Sequence, residues 1–93
     1  MAAQPYKSTP VFDERSLPEA IQYAHNTKDG VWGLLVVLEG AVDLVFHDPA
    51  RKVHVKPQSP AVIAPQAVHH VELTGPMKMK VEFYREPPMG GAA

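Results

Sequence analysis

Ninety-three residues, 45% hydrophobic and 20% charged, suit one small globular domain. Nine basic residues against ten acidic ones leave no electrostatic footprint for nucleic acid or an anionic membrane. With no cysteine there is no disulfide, thiolate metal site or cysteine nucleophile, and a cytoplasmic protein is the expectation.

The N-terminal MAAQPYKSTP has no apolar stretch of the kind a secretory signal needs. Pro5, Pro10 and Pro18 predict an extended or looped arm, flexible over residues 1–8, ahead of a single domain at 9–88. Leu17 to His25 suits a helical turn or a strand, and the alternation of Ile21 to His25 favours the strand. Val31 to Leu38 (VWGLLVVL) predicts a strand ending at the turn Glu39-Gly40. At eight residues it is far shorter than the roughly 20 needed to span a bilayer.

Ala41 to His47 alternates, with Val42, Leu44 and Phe46 on one face. Turns at Asp48-Pro49 and Pro57 to Pro60 bracket a short strand over Lys52 to Lys56. Ala61 to Ala64 and Val68 to Thr74 follow, separated by Pro65. After Gly75-Pro76, Met77, Met79, Val81 and Phe83 alternate with Lys78, Lys80, Glu82 and Tyr84. Residues 89–93 are expected to be disordered.

About seven short strands at intervals of roughly 8–12 residues, with prolines at their boundaries, predict an all-β sandwich or barrel. No glycine-rich phosphate loop, nucleophile-elbow serine or dinucleotide fingerprint is present.

The chemistry-bearing residues are histidines. In PQAVHHVEL, His69 shares a strand face with Val71 and Leu73, while His70 shares the other with Glu72 and Thr74. The apolar company of His69 points it inward. An inward imidazole at a rim suits metal binding, general acid–base work or a plain hydrogen bond. His25, at the end of an earlier strand, is its candidate companion. His47 and His54 sit on a solvated hairpin and are assigned no role. Asp29, Glu39, Glu72 and Glu82 are carboxylates near these elements, and none stands out as a further ligand. Tyr6, Phe12 and Tyr23 suit a pocket lining or plain packing.

The segments LLVVLEGAVDLVF and IAPQAVHHV resemble the two sequence motifs of the cupin superfamily, with Gly40 at the glycine of the first and His69 at the histidine of the second. HNTKDGVWGLLVVLEG with PQAVHHVELTGPMKMKVEFYREP is similar, more narrowly, to the small TehB/YeaR-like cupins, the tellurite-resistance-associated domain. The resemblance covers residues 9 to 88. It implies a conical double-stranded β-helix, a jelly-roll barrel of seven to nine short strands with its site at the open mouth. It also implies metal ligation by His69 and His25. The family's second histidine is Thr27 here, and its glutamate falls at Gly33 or Trp32, so two usual ligands are missing.

Two functions follow as expectations. One is a binding module that captures a small-molecule ligand, oxyanion or divalent ion at the barrel mouth in a tellurite or oxidative or nitrosative stress response, with Lys28 as a charge donor. The other is a metal-dependent cupin enzyme, an oxygenase or isomerase, in which His25 and His69 hold Zn, Fe, Mn or Ni and Tyr23, Thr27 and Trp32 shape the pocket. Longer relatives join this kind of domain to an S-adenosylmethionine-dependent methyltransferase, and nothing in these 93 residues resembles that second domain. Exposed strand edges and the apolar Pro10 to Phe12 arm predict a homodimer. Neither nucleic acid nor membrane is an expected partner.

Overall fold

The turn at Glu39-Gly40 sends the chain from one sheet to the other, and only glycine can make it. Gly40 has φ of 73°, in the left-handed region, and a Cβ there would run into the carbonyl oxygen of Pro76. The computed structural model of the chain describes residues 4–18, 28–48 and 50–88. Its strands in chain order are β1 (Lys7–Ser8), β2 (Phe12–Asp13), β3 (Trp32–Glu39), β4 (Val42–His47), β5 (Ala50–Val55), β6 (Ala61–Ile63), β7 (His69–Leu73) and β8 (Lys78–Tyr84). The fold is all-β, and among the described residues there is no helix. No helix among them is therefore long and apolar enough to cross a membrane.

The larger sheet runs β1-β8-β3-β6, with β2 also on β8, and the smaller runs β5-β4-β7. All their pairings are antiparallel. The chain changes sheets at Gly40, in the Pro57–Pro60 turn, between β6 and β7, and at Gly75-Pro76. Each crossing carries the glycine or proline punctuation that its turn demands. Val37 and Glu39 flank a register shift on β8, a bulge that bends β3 towards its crossing.

The segment that precedes β3 in sequence closes the far edge. Tyr6 and Thr9 donate backbone hydrogen bonds to Phe83 and Val81, and Glu14 accepts from the Met77 N–H at 3.1 Å. Arg85 stacks over the Tyr6 ring at 4.3 Å. The segment thus lends β8 two short partners, β1 and β2. The predicted strand at Ile21 to His25 lies outside the described residues.

The inward faces meet in one core. Leu35, Val37, Ala61, Ile63, Met79 and Val81 face Val42, Leu44, Phe46, Val55 and Val71, with Leu17 and Met77 completing it. Leu35, Leu44, Met79, Val42 and Val55 are fully buried, and each such side chain contributes about 1.5–3 kcal/mol. These positions alternate along β4, β7 and β8 as their sequences predict.

Candidate functional site

At one end of the sandwich, the start of β3 and the loop after β6 come close to the β4–β5 hairpin. Trp32, Val62, Ala64 and Ala67 on one side and Phe46, Asp48 and Arg51 on the other enclose a cavity of about 360 Å³. The register explains the grouping. Gly33 opposes Ile63, so Trp32 lies beside the end of β6, while Phe46 opposes Arg51 across the hairpin. The Arg51 guanidinium sits 4.6 Å from the centroid of the Phe46 ring, and the aromatic face stabilises the cation. The lining is mostly apolar, with one carboxylate and one guanidinium as its charged groups.

His69 lies on the inward face of β7 beside this cavity and is only 3% exposed. Its Nδ1–H donates to the Ala67 carbonyl at 2.8 Å, and its ring lies tilted at 6.3 Å from that of Phe46. The alternation of β7 turns His69 in and His70 out, as the apolar company of Val71 suggests. Of the other residues singled out from sequence, Trp32 lines the cavity. His25, Tyr23 and Thr27 lie outside the described residues. Gly33, which with Trp32 is one of the two expected matches to the cupin glutamate, is buried between β6 and β8.

The opposite face of the smaller sheet carries a polar network. His47 Nε2 meets His70 Nδ1 at 2.7 Å, and His70 Nε2 meets a Glu72 oxygen at 3.0 Å. Lys52 reaches the other Glu72 oxygen at 3.3 Å. The hydrogen bond from His70, then that from Lys52, holds the Glu72 carboxyl below its usual range. His54 contacts Asp43 at 2.8 Å on the same face. Sequence alone gives His47 and His54 no role, because their partners are fixed by strand register. The spacing of His70 and Glu72, two apart on one strand face, is the legible part of this chain of contacts.

The larger sheet's outer face carries a second network. Tyr84 donates to Glu82 at 2.8 Å, and Glu82 pairs with Lys80 at 3.1 Å. Burial, followed by the adjacent Glu82, pushes the Tyr84 phenol up to about 12.

Residues 7–81 match the family model of the TehB-like domain. Over 85 residues the chain is 36% identical to the probable S-adenosyl-L-methionine-dependent methyltransferase TehB of Haemophilus influenzae strain 10810, and equally to that of strain KW20. Those alignments take in 85% of this chain but only 30% of the relatives' length. The crystal structure of Haemophilus influenzae TehB superposes with a TM-score of 0.79 and 31% identity, covering 89% of this chain and 31% of that one. A structure of a protein from Escherichia coli K12 superposes at 0.81 and 22% identity, covering 89% and 90%. At that identity it speaks for the fold alone.

These findings correct the expected function and cofactor. The relatives are named for S-adenosyl-L-methionine-dependent methyl transfer, so the ligand- or metal-binding cupin and the metal-dependent cupin enzyme are set aside. The donor set agrees: among the described residues no three His, Asp or Glu side chains gather where a divalent ion could sit. The cofactor of the relatives does not fit these residues either. An adenosyl group is ordinarily cradled by a glycine-rich turn from strand into helix, with an acidic residue beyond it. The described residues offer no helix for such a turn.

Proposed function

Because the chain belongs to the TehB-like domain family, we propose that it is the non-catalytic β-domain of an S-adenosylmethionine-dependent methylation system. In this reading it acts by contact with a methyltransferase module and neither binds the methyl donor nor transfers the group. The observation that carries it is the coverage: the alignment spans 85% of this chain and 30% of relatives named as methyltransferases. The poor fit of the described residues to an adenosyl cofactor supports assigning methyl transfer to the remaining length. The resemblance to the tellurite-resistance-associated domain makes tellurite the methyl acceptor to try.

The test uses Haemophilus influenzae TehB from which the 85 matching residues are removed. Adding the 93-residue chain in trans should give a complex by light scattering and raise release of S-adenosylhomocysteine with tellurite present. The chain alone should neither retain S-adenosylmethionine in equilibrium dialysis nor consume it. Turnover by the chain alone, or no association with the truncated enzyme, would overturn the proposal.

A further inference from the structure

Charge on the strands is compensated everywhere except at the cavity. Among the described residues, each Asp, Glu and Lys side chain on β3 to β8 is paired with a neighbour: Lys52 with Glu72, Asp43 with His54, Lys78 with Glu39 and Lys80 with Glu82. Arg51 on β5 has no such pair, and its guanidinium meets only the Phe46 ring. Asp48, in the turn after β4, has none either. Both line the cavity and both are exposed, so an acid and a base stand at its wall without pairing with each other.

Water satisfies the two groups in the free chain, so leaving them unpaired costs little. What they offer is polarity. The Phe46 face holds the Arg51 head in place and leaves its N–H donors available, while the Asp48 carboxylate can only accept. Lys28 and Asp29, in the turn before β3, add one charge of each sign and leave the balance of this end unchanged.

The rest of the lining is apolar, with Trp32, Phe46, Val62 and Ala67. Val68, next to Ala67 in the chain, adds an apolar side chain that is 41% exposed. A volume of about 360 Å³ lies at the small end for binding pockets, which suits a single anchoring side chain better than an extended ligand.

We propose that this cavity is the docking point for the methyltransferase module. It takes a surface segment of that module in which a large apolar side chain lies between an acidic and a basic residue. The apolar side chain enters beside Trp32, the acid pairs with Arg51 and the base with Asp48. Only 30% of the relatives' length matches this chain, so most of their length is available to supply the segment. The inference rests on the methylation reading and gives its contact a place and a polarity.

The test mixes the nitrogen-15-labelled chain with unlabelled Haemophilus influenzae TehB lacking the 85 matching residues. Trp32 is the one tryptophan, so its indole N–H signal reports on the cavity directly. That signal should move at substoichiometric partner. Calorimetry should show Arg51→Asp and Asp48→Arg each weakening association by about tenfold. The variant carrying both exchanges keeps the wild-type net charge and should be weakened as well. Lys7→Glu changes net charge as much as Arg51→Asp does, on β1 at the other edge of the larger sheet from β6, and should bind like wild type. Wild-type association with an unmoved Trp32 signal and unweakened charge variants would overturn docking at the cavity and leave the methylation reading standing. No association by any chain would overturn that reading itself. Wild-type affinity in the double exchange would overturn the polarity. A Trp32 signal that moves with concentration of the chain alone would give the cavity to a second copy and overturn the assignment to the methyltransferase.

Discussion

On the larger sheet the outward positions of β3 include Leu34 and Val36; on the smaller sheet the outward positions include Asp43, His47, Lys52, His54, His70 and Glu72. Both sheets contribute inward residues to the same core, so burial inside does not set them apart. The difference lies outside. Leu34, though it points away from the core, is only 6% exposed, while Val45 at the centre of the other outer face is half-buried among charged neighbours. The larger sheet also neutralises its own polar groups, with Tyr84, Glu82 and Lys80 bonded in series. A strand apolar on both faces reads as an unbroken hydrophobic run, and a one-sided strand reads as alternation. VWGLLVVL and VDLVFH are those two patterns.

The largest effect is expected where the two sheets are joined. Gly40→Ala places a Cβ against Pro76 in a left-handed backbone and should lower stability by about 2–3 kcal/mol in urea unfolding. A loss below about 0.5 kcal/mol would mean that the crossing relaxes easily.

The same replacement on each face then tests the contrast itself. Leu34→Thr removes apolar contacts and buries a hydroxyl, for an expected loss of about 2–3 kcal/mol. Val45→Thr keeps a β-branched side chain on a wetted surface and should stay within about 0.5 kcal/mol. Equal losses would show that the outer faces are energetically alike, whatever their composition.

Tyr84→Phe sharpens the contrast through pH. The phenol is raised from 10.0 to about 12, mainly by burial and then by Glu82. Folding therefore favours its neutral form. That stabilisation is complete below the ordinary tyrosine range and is lost as pH rises from 10 through 12. At neutral pH the variant should lose about 1 kcal/mol with the hydrogen bond. Between pH 10 and 12 it should fall less steeply than wild type, and parallel curves would refute the buried phenol.

How much of this was written legibly in the chain depends on the range of the interaction. The all-β class, the strands β3 to β8 and the inward turn of His69 follow from local alternation and turn residues, each readable within about ten positions. The His47–His70 contact joins residues 23 apart in sequence, and nothing local to either announces the other. The burial of Leu34 and Tyr84 is hidden for a related reason: alternation assigns them to the outside and is silent on what the outside of a sheet carries. The metal expectation is overturned by the relatives and not by local pattern: His69 turns inward as expected, while His25, its expected companion, lies outside the described residues.

The smallest effect is expected on the polar face, from Glu72→Gln. Glutamine still accepts the His70 Nε2–H, so the variant removes charge and leaves the hydrogen-bonded shape in place. The wild-type carboxyl is held below its ordinary value near 4.5 by His70 first and Lys52 second. A depressed carboxyl stabilises the fold above that ordinary range, and the contribution disappears as pH falls through the folded value. Wild type should therefore exceed the variant in urea midpoint at pH 7, and the gap should close in acid below about pH 4. Salt near 1 M should close it too, because the pair with Lys52 is exposed to screening. A gap that persists in acid would mean that shape rather than charge holds this face. Its polar network would then resemble the internally bonded one on the other sheet, and the contrast between the two surfaces would be one of composition alone.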